Sequence, residues 1–168
     1  RLLGTHGSER RYVHETLGFN SRLDTVQAVV LRAKLTRLDR WNAARRAVAA
    51  RYDTLLEAAG LTGTAWSPGP VRPPTVAPGN IHVWHLYVIR IPDRDAVLAR
   101  LNKAGIGAGI HYQLPVHLQE AFASLGYARG DFPVAERACA QILSLPIHPH
   151  LTEADQARVV DELAEALA

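Results

Sequence analysis

Between Asp24 and about Ala59 the apolar positions Val26, Val30, Leu31, Leu35, Leu38, Trp41, Val48, Tyr52, Leu55 and Leu56 recur mostly at steps of three and four. That is the period of an amphipathic helix. The run reads as one long helix, or as two with a break near Thr36 to Asp39. A continuous helix would extend about 50 Å at 1.5 Å per residue, and helices of that length usually pass from one domain to another. Residues 1–19 contain glycine and histidine with no sustained period, the pattern of a loop or short turns.

Residues 60–80, "GLTGTAWSPGPVRPPTVAPGN", are so rich in Gly and Pro that no regular element can persist there. "IHVWHLYVIRI" follows, β-branched and aromatic, with both alternating sets mainly apolar, so it reads as a strand covered on both faces. Asp93 or Asp95 can cap a helix carrying Val97, Leu98 and Leu101 that ends at Gly105 and Gly107. "GAGIHY" predicts a second strand, "VHLQEAFASLG" a helix stopped at Gly126, and Asp131 with Pro133 opens another helix from Phe132 to about Ile142. "LSLPIHPHL" predicts a third strand. Thr152 and Asp155 resemble a capping box, before a terminal helix with Val159, Val160, Leu163 and Leu167 on its apolar side. The order after the linker is β, α, β, α, α, β, α, an α/β sandwich of modest size without internal repeats.

Composition narrows the class. The 168 residues are 48% hydrophobic and 21% charged, enough apolar content for one globular domain or two sub-domains. Nineteen Lys and Arg against 16 Asp and Glu leave a charge of +3, too small and too scattered to indicate nucleic acid. The single cysteine, Cys139, excludes an internal disulfide and a cysteine-based zinc site. It falls on the inner side of a predicted helix. A reduced, cytoplasmic setting is expected, with no membrane span and no signal-type start. The chain contains no methionine and opens at Arg1 with "RLLGTHG", which reads like the middle of a longer polypeptide.

Three stretches carry candidate chemistry. The eight histidines include His111 and His117 around Pro115, and His148 and His150 around Pro149, but no carboxylate or thiol accompanies them at a ligand spacing. No metal site is expected, and His82 and His85 read as packed or hydrogen-bonded core residues. "GIGAG" leaves a helix and enters a strand, the wrong polarity for a phosphate cradle. "GFNSRLD" sets Gly18, Asn20, Arg22 and Asp24 at the mouth of the long helix. It can hold a phosphate, or it can simply cap and clamp the helix start. In "IHYQLPVHLQ", His111, Tyr112 and His117 either face one pocket or pack around a helix start that Pro115 sets.

Taken together, "GFNSRLDTVQAVVLRAKLTRLDRWNAARR", "HVWHLYVIR", "GIGAGIHYQLPVHLQ" and "LGYARGDFPVAERACAQILSLPIHPHLT" resemble, in order, the C-terminal part of the DegT/StrS-type sugar aminotransferases. These depend on pyridoxal phosphate. The resemblance covers nearly the whole chain. It implies a fold-type I architecture with a long connecting helix and a small α/β sandwich domain built on a mainly antiparallel sheet. Residues 1–40 would end the large cofactor domain, 41–79 would form the connecting helix and loop, and 80–168 the small domain. It further implies a homodimer in which Asn20 reaches the cofactor phosphate of the neighbouring subunit. Arg11, Tyr12 and His14 would help hold a nucleotide-linked keto sugar, with His111, Tyr112 and His117 lining the sugar pocket. Gln113 stands where the family commonly has proline after "HY".

The family's Schiff-base lysine lies upstream of the first residue here. Lys34 and Lys103, the lysines of this chain, sit in a different sequence context. Transamination needs a lysine as anchor and as proton shuttle, so the chain alone is expected to be inactive. The expected parent takes its amine from glutamate or glutamine in deoxyaminosugar biosynthesis. The alternative is a freestanding, non-catalytic module for dimerisation or sugar-nucleotide binding.

Overall fold

The computed structural model describes residues 2–10, 12–63 and 69–168. The chain divides into two compact units, Arg1–Asp39 and Arg40–Ala168.

In the first unit a 3-10 turn, Leu2–Gly4, is laced to residues 19–21 by backbone bonds. Phe19 N donates to Leu3 O (2.7 Å), His6 N to Phe19 O (2.9 Å) and Ser21 N to Gly4 O (3.0 Å). Gly18 is required by this approach, since a Cβ there would lie 2.2 Å from the Gly7 nitrogen. Helix α1 (Thr25–Leu35) then starts at Asp24, whose carboxylate accepts from Val26 N (2.8 Å) and Gln27 N (3.4 Å). That satisfies donors left free at a helix start. The helix ends where Thr36 Oγ1 turns back to Ala33 O (2.9 Å), and α2 (Leu38–Ala58) follows. The long apolar run is therefore two helices. The α1 side chains Val26, Val29, Leu31 and Leu35 are all exposed.

The second unit is built around β1 (Tyr87–Arg90) and β2 (Ile142–Leu145), antiparallel in the register Tyr87↔Leu145 and Ile89↔Leu143. Those four side chains are buried with Tyr52 and Leu56 of α2, Leu101 of α3 (Arg94–Lys103) and Leu163 of α5 (Glu153–Leu167). Isolated bridges widen the sheet: Arg72 pairs with Arg90, and Gly109 with Ser144. Buried polar groups find partners across the core. Tyr52 OH donates to Pro146 O (2.9 Å), Tyr87 OH to Asp53 Oδ1 (2.5 Å), and Gln156 Nε2 to Val48 O (2.8 Å). Burial, reinforced by Asp53, pushes the Tyr87 phenol up, so it stays a neutral donor.

Several local expectations are corrected. Pairing in "IHVWHLYVIRI" begins only at Tyr87, because Trp84 (φ 51°) leaves the extended region. His82 and His85 are exposed rather than core, although His82 Nδ1 accepts from Trp84 N (2.9 Å). "GAGIHY" contributes one bridge rather than a strand. The helix expected in "VHLQEAFASLG" is two 3-10 helices, Val116–Leu118 and Glu120–Leu125, separated where Gln119 becomes extended (ψ 136°). Asp93 precedes α3 in a left-handed conformation with no side-chain cap, and Asp95 instead accepts from Arg94. By contrast α4 (Pro133–Gln141) opens on its proline, and the Thr152/Asp155 box closes reciprocally. Among the described residues no helix is long and apolar enough to cross a membrane.

Candidate functional site

In the first unit Asn20 lies in the segment that Thr5 pairs with as an antiparallel bridge, one turn ahead of α1. Its side-chain oxygen accepts from Arg22 Nε (3.2 Å). With that oxygen engaged, the amide nitrogen is the group left to donate. Asn20, Arg22 and Asp24 line a depression of about 400 Å³ at the helix mouth. The Asp24 carboxylate is turned into its own helix, where Oδ1 accepts from Val26 N and Gln27 N, and it forms no ion pair with Arg22 among the described residues. An amide donor, a guanidinium and a helix start suit a phosphate group. The residues present therefore fit a group such as the phosphate of pyridoxal phosphate, with the Asn20 amide and the Arg22 guanidinium as the donors that would hold it.

His14 Nδ1 donates to His6 O (2.9 Å), which ties the 12–16 segment to the turn beneath it. Tyr12 is 80% exposed with a left-handed φ of 68°. Arg11 lies outside the described residues.

In the second unit an apolar pocket of about 660 Å³ opens between the two 3-10 helices and α4. Tyr112 and His117 line it with Phe122, Tyr127, Phe132 and Cys139. His111 is not brought into it. Its Nδ1 lies 2.8 Å from Ser144 Oγ, beside the Gly109–Ser144 bridge. His117 sits against the Phe132 ring (4.7 Å between centroids), and Phe132 meets Tyr127 edge-on at 5.1 Å.

The wall is fastened by Glu136 of α4. Its Oε1 accepts from Gly130 N (2.7 Å) and lies 3.1 Å from His117 Nε2. The Gly130 bond, with a smaller contribution from His117, outweighs partial burial and holds the Glu136 carboxyl below the usual glutamate range. A charged carboxylate thus fixes the imidazole in the cavity wall. Sequence reasoning missed Glu136. The only trace was "FPVAER", where a glutamate three residues after Pro133 looks like an ordinary first-turn acid. Among the described residues no group of three or more His, Cys, Asp and Glu side chains is placed to hold a metal ion.

The fold is that of the C-terminal part of pyridoxal-phosphate aminotransferases. It superposes on S. venezuelae DesV with a TM-score of 0.85 at 44% identity, over 98% of this chain and 42% of that one. A DegT DnrJ EryC1 StrS aminotransferase from Brucella abortus gives 0.83 at 36%, over 100% and 42%. Residues 1–164 match the DegT/DnrJ/EryC1/StrS aminotransferase family, and the chain belongs to it. Among its relatives are a dTDP-3-amino-3,4,6-trideoxy-alpha-D-glucose transaminase of Streptomyces venezuelae, 44% identical over 98% of this chain and 41% of that protein. A pleiotropic regulatory protein of Geobacillus stearothermophilus is 46% identical over 98% and 42%. The chain spans about two-fifths of the length of these relatives and corresponds to their C-terminal part.

Proposed function

We propose that this chain is the C-terminal part of a pyridoxal-phosphate-dependent aminotransferase that exchanges a keto group on a nucleotide-linked deoxysugar for an amine from glutamate or glutamine. The observation that carries the reading is the match of residues 1–164 to the family, with sugar-nucleotide transaminases among the relatives. Pyridoxal phosphate supplies the electron sink for the exchange when bound. The residues here hold and orient. In an assembled homodimer Asn20, with Arg22, donates to the phosphate of the neighbouring subunit's cofactor. Tyr112 and His117 contact the sugar, with Phe132 and Tyr127 as apolar surface for its C–H face. Arg11, Tyr12 and His14 serve the nucleotide-linked side of the substrate, and His111, braced on Ser144, supports the Tyr112 segment.

Lys34 and Lys103 are both exposed, one on α1 and one at the end of α3. We assign neither to catalysis, and the chain alone is expected to transfer no amine. The test is a chimera in which this chain replaces the corresponding part of the S. venezuelae transaminase. It should transfer amine to a keto-sugar nucleotide. Asn20→Ala should weaken cofactor retention by roughly 10- to 100-fold, the loss of a hydrogen bond to a charged group. A chimera that folds and holds the cofactor but aminates no keto-sugar nucleotide would overturn the reading. Equal retention in the Asn20→Ala form would remove Asn20 from it.

A further inference from the structure

On a different face of α4 from the apolar pocket lies a cavity of about 510 Å³, lined by Arg72, Arg90 and Arg137 with Gln141. No carboxylate and no aromatic ring is among its described lining. Arg72 and Arg90 are direct antiparallel partners: Arg72 N donates to Arg90 O and Arg90 N to Arg72 O, both at 2.9 Å. Directly opposed residues project to the same side of a sheet with Cα atoms about 5.5 Å apart. Two like charges are therefore held side by side, an arrangement that costs stability unless something neutralises it. Arg137 adds a third from α4.

The acceptor that fixes Arg90 is itself neutral. Gln141 Oε1 takes Arg90 Nη2 at 2.7 Å and Nε at 3.2 Å. A glutamate, differing by one atom, would anchor the fork equally well and cancel its charge. Among the described residues the ion pairs are Arg51–Glu153, Arg94–Asp95 and His117–Glu136, and none involves these three arginines. The arrangement places positive charge around a cavity and leaves it without an ion-pair partner among the described residues.

We propose that this cavity is a binding site for a diphosphate group. Guanidinium forks match phosphate oxygens in pairs, and three of them suit a multiply charged anion better than a monoanion. Pro70, Ile91, Pro92 and Val134 are the other side chains of the described lining, and none of them offers a π-face on which a base could stack. Recognition therefore falls on the phosphates, whether they come as free pyrophosphate or as the tail of a nucleotide. The proposal stands on this geometry alone and does not rest on the aminotransferase reading.

The test is calorimetric titration of the 168-residue chain with inorganic pyrophosphate and, separately, with a nucleoside diphosphate. Both should bind saturably with similar affinity, and both should weaken as salt is raised. The corresponding nucleoside, lacking phosphate, should not bind. Gln141→Glu should cut affinity tenfold or more while leaving thermal stability at or above the parent's. Arg72→Gln with Arg137→Gln should do the same to affinity. Arg46→Gln, on the exposed side of α2 and changing the net charge by one as Gln141→Glu does, should leave it unchanged. Absence of saturable pyrophosphate binding, or undiminished binding in Gln141→Glu and in the double variant, would overturn the site. A nucleoside diphosphate bound tenfold more tightly than pyrophosphate would overturn its assignment to phosphate alone.

Discussion

Arg94 offers the sharpest test of how α4 is held. It is the first residue of α3 and only 5% exposed, unusual for an arginine. Its Nη1 donates to Cys139 O (3.1 Å) and Ile142 O (3.2 Å), carbonyls at the C-terminal end of α4, and its Nε donates to Asp95 Oδ1 (2.7 Å). The guanidinium thus satisfies acceptors that the end of α4 leaves open and sits at the negative end of that helix's dipole. Asp95 is 77% exposed, so that ion pair contributes at most about 1 kcal/mol. The two carbonyl bonds come from a charged, buried donor. Such bonds are worth about 1.5–3 kcal/mol each, and sharing one nitrogen brings the pair to roughly 3 kcal/mol. Arg94→Met keeps the apolar stem and removes the bonds. It should lower unfolding free energy by about 3 kcal/mol, or the melting temperature by about 10 °C in a unit of this size. Urea unfolding followed by tryptophan fluorescence, with Trp84 in the core, measures this directly. Asp95→Ala should cost under about 1 kcal/mol. A loss below about 1 kcal/mol in Arg94→Met, or an equal loss in Asp95→Ala, would refute the argument.

Leu143 is fully buried opposite Ile89. Its truncation to alanine should cost about 2–5 kcal/mol by the same unfolding assay. Thr152→Ala should cost about 1 kcal/mol through the lost cap at α5. The Thr152 hydrogen bonds hold the Asp155 carboxyl below the usual aspartate range, so their stabilisation is present above that range and fades as pH falls through the folded value. Melting temperature should therefore drop on acidification below about pH 4, and less steeply in Thr152→Ala. The exposed apolar side of α1 should drive concentration-dependent association, which Val26→Glu with Val29→Glu should suppress in sedimentation measurements.

The helices were legible wherever local signals agreed. The 3.6-residue period marked α1 and α2, Asp24 and the Thr152/Asp155 box marked two starts, and Pro133 a third, because caps and periodicity act within one turn of chain. Failures fell where a local signal met a competing contact. Trp84 carried strand propensity yet turned out of the strand to bury its ring against Tyr87 (5.6 Å). "VHLQEAFASLG" carried helical composition yet became two 3-10 helices along the edge of the apolar pocket.

The site divides in the same way. At "GFNSRLD" and "HYQLPVH" the residue types alone left a ligand site and a capped or packed helix start both open, and it was the resemblance to the family that singled out Asn20, His111, Tyr112 and His117 as candidates. Family membership, too, was carried by the order of short motifs. Which groups meet was decided only in three dimensions. Glu136 is joined to His117 across 19 positions and Gln141 to Arg90 across 51, while His111 turns to Ser144 across 33. Hydrogen bonds act over about 3 Å in space, and a one-dimensional pattern contains no such distance until β1, β2 and α4 have packed.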